Sequence, residues 1–142
     1  MRTGILAGAA AGAAGTAALN AATYVDTALR ARPAGPIPED RTSDAPDARG
    51  HRASGLASLT GIATGVAIGA TFGLLRRAGL RPGPVLGSAL IGATTMASTN
   101  ASMIALGVTD PRDWTVTDWL SDALPHLAYG AVTDAVLRAL DR

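Results

Sequence analysis

The stretch GIATGVAIGATFG, residues 61–73, places four glycines at intervals of four residues: Gly61, Gly65, Gly69 and Gly73. An interval of four puts successive residues on one face of a helix. Each glycine nevertheless costs about 1 kcal/mol relative to alanine inside a helix in water. The four glycines together would lower the stability of the helix by about 4 kcal/mol in water. An environment other than water must offset this cost, and the rest of the sequence indicates that it is a lipid bilayer.

Three long stretches of the chain carry no charged residue. They are residues 3–25, 55–75 and 83–108. As helices they would be roughly 31 to 39 Å long, which is enough to cross a hydrocarbon core of about 30 Å. The first stretch also fits a cleavable signal peptide, because Arg2 precedes an apolar run with small residues. That run continues well past the candidate cleavage site, which favours a retained membrane span.

A fourth helix is predicted to begin near Thr115, which has the spacing of a capping box with Asp118. The helix is amphipathic and contains Pro125, so two arrangements are open. It is one continuous span, which we favour, or an interfacial helix to Ala123 followed by a short span. Two tryptophans near its start fit the membrane surface in either arrangement.

The sequence thus predicts an all-α fold, a four-helix transmembrane bundle forming a single membrane domain over residues 1–142. A flexible loop is expected over residues 30–53, because its four prolines and mixed charge cannot bury enough apolar surface to offset ordering. The four helices are placed at residues 3–29, 54–77, 83–107 and 115–140.

The connection between the second and third helices, RRAGLRPGP at residues 76–84, is short. Gly79 fits a left-handed helix cap and Pro84 fits the first turn of the next helix. We therefore expect these two helices to form an antiparallel hairpin. The three arginines of this connection, with no acid among them, favour the cytoplasmic side. The twelve bases of the whole chain divide evenly between the two sides, so the orientation depends on this short loop.

Rows of glycine have a specific use between membrane helices. Lipid tails are as apolar as leucine, so helices associate through close van der Waals contact and hydrogen bonds rather than through burial. Glycine lets two backbones approach, an arrangement we call a glycine zipper. Such a zipper holds one monomer together, which we favour, or docks a second copy. The predicted helix-packing residues are Gly61, Gly65, Gly69 and Gly73 on the second helix and Gly4, Gly8 and Gly12 on the first.

The fourth helix carries the ionisable residues that fall within an apolar region, a functional candidate by default. One interpretation is a proton relay or cation site. The other, which we favour, is structural: Asp118 caps the helix, Asp122 lies in the headgroup layer and Asp134 pairs with Arg138. The residues of this possible polar seam are Asp118, Asp122, His126, Tyr129 and Asp134.

Composition excludes several other classes. The chain has no cysteine and two histidines, one of them in the proline-rich loop, which argues against metal or haem sites. It has neither a Gly-x-Ser-x-Gly nucleophile elbow nor a phosphate-binding loop that ends in lysine. A net charge of +1 argues against nucleic-acid binding. We therefore expect no catalytic residues, no cofactor and no enzymatic activity.

Two stretches carry a resemblance to a known group. They are GILAGAAAGAAGTAALNAATYVD at residues 4–26 and LPHLAYGAV at residues 124–132. With the third helix they resemble small multi-span bacterial membrane proteins of actinobacterial type, including the YagU-like group with its His-x-x-Tyr-Gly motif. That motif falls here on His126, Tyr129 and Gly130. The resemblance implies an integral membrane protein without an assigned activity, and it transfers no catalytic residue.

The sequence therefore predicts a multi-pass protein of the bacterial cytoplasmic (inner) membrane, with lipid and either further copies or a larger membrane complex as partners. The leading function is that of a structural, interaction or accessory subunit. The alternative is a small homo-oligomeric protein that conducts protons or a solute through the Asp118, Asp122 and His126 seam. A third hypothesis is a soluble helical protein that self-associates through small residues.

Overall fold

The computed structural model describes residues 4–30, 48–105, 107 and 109–141, with the backbone alone over residues 48–54. The described part of the chain is mostly helical and contains no strand, which confirms the predicted all-α class. Its elements are α1 (Ile5–Arg30), α2 (Ala48–Arg77), α3 (Pro84–Ala105), a short 3₁₀ turn (Pro111–Asp113) and α4 (Val116–Leu140).

The second helix begins earlier than predicted. The sequence places its start at residue 54, whereas α2 begins at Ala48. The predicted loop over residues 30–53 is therefore wrong for residues 48–53. That segment contains no proline, and a helix already nucleated gains one hydrogen bond for each residue it adds. Residues 31–47 of the predicted loop lie outside the described residues.

The local signals at helix ends are confirmed. Gly79 has a φ of 103°, and its N–H donates to the carbonyl of Arg76 at 3.1 Å. The Leu80 N–H donates to the carbonyl of Leu75 at 3.0 Å, so α2 ends in a Schellman motif. At the start of α4, Thr115 and Asp118 form both bonds of the predicted capping box, while Pro84 opens α3.

The fourth helix is continuous. It runs from Val116 to Leu140 with Pro125 inside it, so the alternative of two separate helices divided near Pro125 is wrong. Proline removes one backbone donor from a helix, and the helix accommodates that loss here.

The helices pack in a different arrangement from the predicted α2–α3 hairpin. α1 packs against α2 and α4, and α4 packs against α1 and α3. α2 and α3 touch only slightly, so the predicted packing of these two helices as a hairpin is wrong. A short connection brings two helix ends together, but the faces able to approach closely decide where two helices make contact.

Glycines occupy the closest contact between α1 and α2. A Cβ added at Gly12 would lie 3.0 Å from the Cα of Gly69, and one added at Gly73 would lie 2.7 Å from the Cα of Gly8. Real Cβ atoms essentially never approach another heavy atom within 3.0 Å. The two backbones are thus nearer to each other than any side chain would allow. Gly61 differs, because nothing lies within 4 Å of its Cβ position.

Close contact at glycine also joins α3 to α4. A Cβ added at Gly130 would lie 3.0 Å from the Cα of Gly92, and one added at Gly92 would lie 2.8 Å from the carbonyl oxygen of His126. Between α1 and α4, a Cβ at Gly15 would lie 2.9 Å from the ring of Tyr129. Each extensive interface of the described bundle therefore includes a glycine that no larger residue could replace without movement.

The distribution of apolar side chains is inverted relative to a water-soluble domain. The buried hydrophobic residues among those described are Ala11, Ile91, Tyr129 and Leu137, whereas twenty-one large hydrophobic side chains are exposed. Soluble proteins rarely leave extended apolar surface in contact with water. By length and composition, the helices Ile5–Arg30 and Gly55–Arg77 are apolar enough to cross a membrane.

Two glycines of α2 provide a matched test of close packing. Gly69→Ala places a methyl group 2.6 Å from the backbone nitrogen of Gly12, and overpacking of this kind costs typically about 1–3 kcal/mol. Gly61→Ala meets open space and removes a helix penalty of about 1 kcal/mol. We expect thermal unfolding, followed by circular dichroism, to give a lower midpoint for Gly69→Ala and an equal or higher one for Gly61→Ala. Equal midpoints in the two variants would contradict a role for close backbone contact.

Candidate functional site: the polar interior

The interior of the bundle is polar. Besides Tyr129, six buried residues of the described chain carry hydroxyl, imidazole, carboxylate or guanidinium groups, and they lie on all four helices. A buried polar group is costly unless it finds a hydrogen-bond partner. The partners of these groups therefore define what the interior can do. The six residues are Thr16, Arg76, Thr95, His126, Thr133 and Asp134.

Tyr129 stands at the centre of this interior and is completely buried. Its hydroxyl donates a hydrogen bond of 2.5 Å to the backbone carbonyl of Gly65. One turn later on α4, the Thr133 hydroxyl donates to the carbonyl of Ala11 at 3.4 Å. Two side chains of α4 thus reach the backbones of α2 and α1, and the glycine row keeps those backbones within reach.

One end of the bundle holds a group of ion pairs that we call the arginine cluster, formed by Arg76, Arg81, Arg138, Asp134 and Asp141. Arg76 contacts Asp134 at 3.3 Å and Asp141 at 3.2 Å. Asp134 is also 2.5 Å from the Nε of Arg138. The cluster joins the last turn of α2 to the last turns of α4.

The arginine cluster is also tied to the α2–α3 connection. Arg138 donates to the carbonyl of Pro82 at 2.6 Å, and Arg81 reaches Asp141 at 3.4 Å. The side chains of Arg76 and Asp134 are only 7% and 3% exposed. A buried ion pair is strongly destabilised when one partner is removed, because the other charge is then left buried alone. The cluster thus fixes this end of the bundle.

A second polar contact lies toward the other end, between α3 and α4. The Asn100 amide donates to the Asp122 carboxylate at 2.7 Å. His126 lies one turn further along α4, with Nδ1 2.7 Å from the Asp122 carbonyl oxygen and 3.4 Å from the Asp122 carboxylate. A carbonyl oxygen only accepts hydrogen bonds, so this geometry assigns the hydrogen to Nδ1.

The structure separates the residues of the possible polar seam into four places. Asp118 forms the capping box at the start of α4, and Asp122 and His126 share the contact with Asn100. Tyr129 bonds to the backbone of α2, and Asp134 belongs to the arginine cluster. The predicted pairing of Asp134 with Arg138 is present.

Sequence reasoning missed three partners of these residues: Arg76 for Asp134, Asn100 for Asp122 and the Gly65 carbonyl for Tyr129. Two of these contacts join residues about 60 positions apart, at separations of 58 and 64. Arg76 lies in a stretch whose neighbours in sequence carry no acid, so the sequence around it does not indicate its partner. An ionisable residue in an apolar stretch predicts that the side chain needs a partner. The pattern does not indicate where in the chain that partner lies.

The interior offers little for chemistry. The Tyr129 hydroxyl donates its single hydrogen to a carbonyl oxygen, which cannot pass a proton onward. Asp134 is held by two arginines. Within the described residues, no three histidine, aspartate or glutamate side chains are grouped so that they could hold a metal ion. The contacts are those of a network that joins helices.

No protein-family model, curated protein or solved structure matches this chain. The resemblance to the YagU-like group stays a prediction that rests on the quoted residues. Its motif residues His126, Tyr129 and Gly130 are all buried on α4.

Substitutions of two aspartates, each followed by an arginine four residues later, test how much the arginine cluster contributes to stability. Asp134→Asn leaves Arg76 without one of its two buried partners, and breaking a buried pair costs about 3–5 kcal/mol. Asp26→Asn removes a partly exposed pair with Arg30, and helix pairs of that kind contribute about 0.3–0.5 kcal/mol. We expect a large drop in the thermal midpoint for Asp134→Asn and almost none for Asp26→Asn. A similar small effect in both variants would show that the cluster does not hold the bundle together.

Proposed function

We propose that this chain is a multi-pass protein of the bacterial cytoplasmic membrane that acts as a structural or interaction protein, such as an accessory subunit of a larger membrane complex. In this proposal all four helices cross the bilayer, and the glycine rows of α1 and α2 serve as a zipper within one monomer. Lipid is the surrounding solvent. The chain belongs to no enzyme class in this proposal.

The observation that carries the proposal is the inverted distribution of side chains. Leu6, Leu29 and Val85 are each more than 80% exposed, while Asp134 and Arg76 are at most 6% exposed. In water such a molecule would expose leucine and bury charge. In lipid the exposed leucines contact acyl chains, and the polar groups find their partners inside the bundle.

The outer faces of α3 and α4 support four spans rather than two. By composition, only α1 and α2 among the described helices are apolar enough to cross a membrane, since α3 and α4 both carry polar residues. Those polar residues mostly turn inward or bond to their own helix, as Thr95 does to the carbonyl of Ile91. The surface is apolar, with Leu86, Leu124 and Leu127 each more than half exposed.

Three contacts favour a structural role over conduction through the Asp118, Asp122 and His126 seam. Asp118 is engaged in the helix cap, and Asp122 is engaged by Asn100. Beyond His126 the buried Tyr129 hydroxyl ends on a backbone carbonyl. A proton relay needs groups that both accept and donate at every step. The Gly65 carbonyl that accepts from Tyr129 cannot donate a hydrogen, so the line of contacts ends there.

Extraction of bacterial membranes with alkaline carbonate tests the location. We expect the protein to stay in the membrane pellet and to require detergent for release, because its exposed leucines have no other cover. A peripheral membrane protein run in parallel should be released. Recovery of a monodisperse protein from an aqueous extract without detergent would contradict the proposal and favour the soluble self-associating alternative.

The same detergent-purified protein separates a structural role from conduction. Reconstituted in liposomes under a pH gradient, it should give no proton flux above protein-free liposomes, whereas it should co-purify with other membrane proteins under mild detergent. A pH-dependent flux that disappears in His126→Ala and Asp122→Asn would overturn the structural role in favour of conduction.

A further inference from the structure

The two ends of the bundle differ in charge. At the arginine end, where the starts of α1 and α3 meet the ends of α2 and α4, the described side chains include four arginines and two aspartates. At the opposite end they include two arginines, Arg30 and Arg112, and five aspartates. Among the described side chains, the excess of positive charge is therefore confined to one end. The residues of the arginine end are Arg76, Arg77, Arg81, Arg138, Asp134 and Asp141.

Part of this positive charge is neutralised inside the bundle and part is not. Both aspartates belong to the arginine cluster, where the buried Arg76 contacts both of them and the half-buried Arg138 contacts Asp134. Arg77 is exposed and forms no ion pair with any side chain that the structure describes. Arg81 is 53% exposed, and both of its polar contacts with described residues are long, 3.4 Å to the Asp141 carboxylate and 3.4 Å to the backbone carbonyl of Arg76. Arg77 and Arg81 thus present positive charge to the outside.

These two arginines stand beside apolar surface. Leu74 and Leu80 are 47% and 52% exposed, and they flank Arg77 in the chain. An arginine side chain lies along apolar surface with its stem and keeps its guanidinium in the polar layer. If the leucines contact acyl chains, as in the proposed function, the guanidinium groups lie at the depth of the phosphates.

We propose that the arginine end binds the headgroup of anionic phospholipids, and that Arg77 and Arg81 are the residues that contact it. The inference rests on the proposed membrane location. Guanidinium groups match phosphate oxygens in charge and geometry. The net negative charge of the headgroup is what distinguishes the ligand from a zwitterionic lipid, because each arginine near an anionic surface increases affinity about fivefold.

The test measures lipid binding to detergent-purified protein by native mass spectrometry. Phosphatidylglycerol and phosphatidylcholine with identical acyl chains are the two lipid probes, and inorganic phosphate is the headgroup probe without a chain. We expect the wild type to prefer phosphatidylglycerol at least tenfold. We expect Arg77→Gln with Arg81→Gln to weaken phosphatidylglycerol binding about 25-fold, as the product of two fivefold effects.

A matched control removes the same charge from the other end. Arg30→Gln with Arg112→Gln should change phosphatidylglycerol binding less than twofold. Circular dichroism and elution volume establish that both double variants fold. A measurement that needs no variant is the salt dependence of wild-type binding, which should weaken between low and high ionic strength because exposed charges are screened.

Several outcomes would overturn the inference. These are equal affinity of the wild type for the two lipids, equal losses in the two double variants, or binding of phosphatidylglycerol that salt does not change. Displacement of the lipid by millimolar inorganic phosphate would assign the site to free phosphate instead. Failure of carbonate extraction to retain the protein would contradict the membrane location itself, whereas a membrane-embedded protein indifferent to headgroup charge contradicts only the lipid site.

Discussion

The fold depends on direct backbone contact at glycine. Where α1 crosses α2, Gly8 and Gly12 face Gly69 and Gly73 without intervening side chains, and Gly92 faces Gly130 where α3 crosses α4. This close approach brings the carbonyl of Gly65 within reach of the Tyr129 hydroxyl. It also leaves little room inside the bundle, so the large apolar side chains lie outside. The inverted distribution of side chains is thus a consequence of how near the helices come.

An interior without large apolar side chains must be held together by other means. Hydrogen bonds from Tyr129 and Thr133 to backbone carbonyls tie α4 to α2 and α1, and the arginine cluster ties α2 to α4 at one end. Burying a charge pair is seldom favourable in itself, because desolvation offsets the attraction. Its use is specificity: a shifted arrangement of α2 and α4 would separate the buried Arg76 from its carboxylate partners Asp134 and Asp141.

The sequence predicted the features that depend on nearby residues. Helix ends at Gly79 and Thr115 are confirmed because a cap is formed by residues within one or two turns. Three of the helices followed from charge-free runs, and the fourth followed from the capping-box spacing of Thr115 and Asp118. The arrangement of the helices could not be derived, since it is decided by contacts such as Arg76 with Asp134, 58 residues apart. Chain order favoured α2 against α3, whereas the glycine faces pair α2 with α1 and α3 with α4.

The same reasoning supports the proposed structural interpretation of the ionisable residues on α4 over a relay. Their spacing of four residues fits a relay and fits a set of separate structural ties equally well, because both need side chains on one helical face. What distinguishes the two is the nature of each partner. Asp122 contacts an amide, Tyr129 contacts a carbonyl and Asp134 contacts two arginines. Each of these partners lies on another helix or in the last turns of α4. His126 does contact Asp122, but the next residue along the face, Tyr129, donates to the backbone of α2 instead. Among the described residues, no hydrogen-bonded path therefore connects Asp122 and His126 to Tyr129 and Asp134. The polar face of α4 is better understood as the surface that bonds to the other three helices.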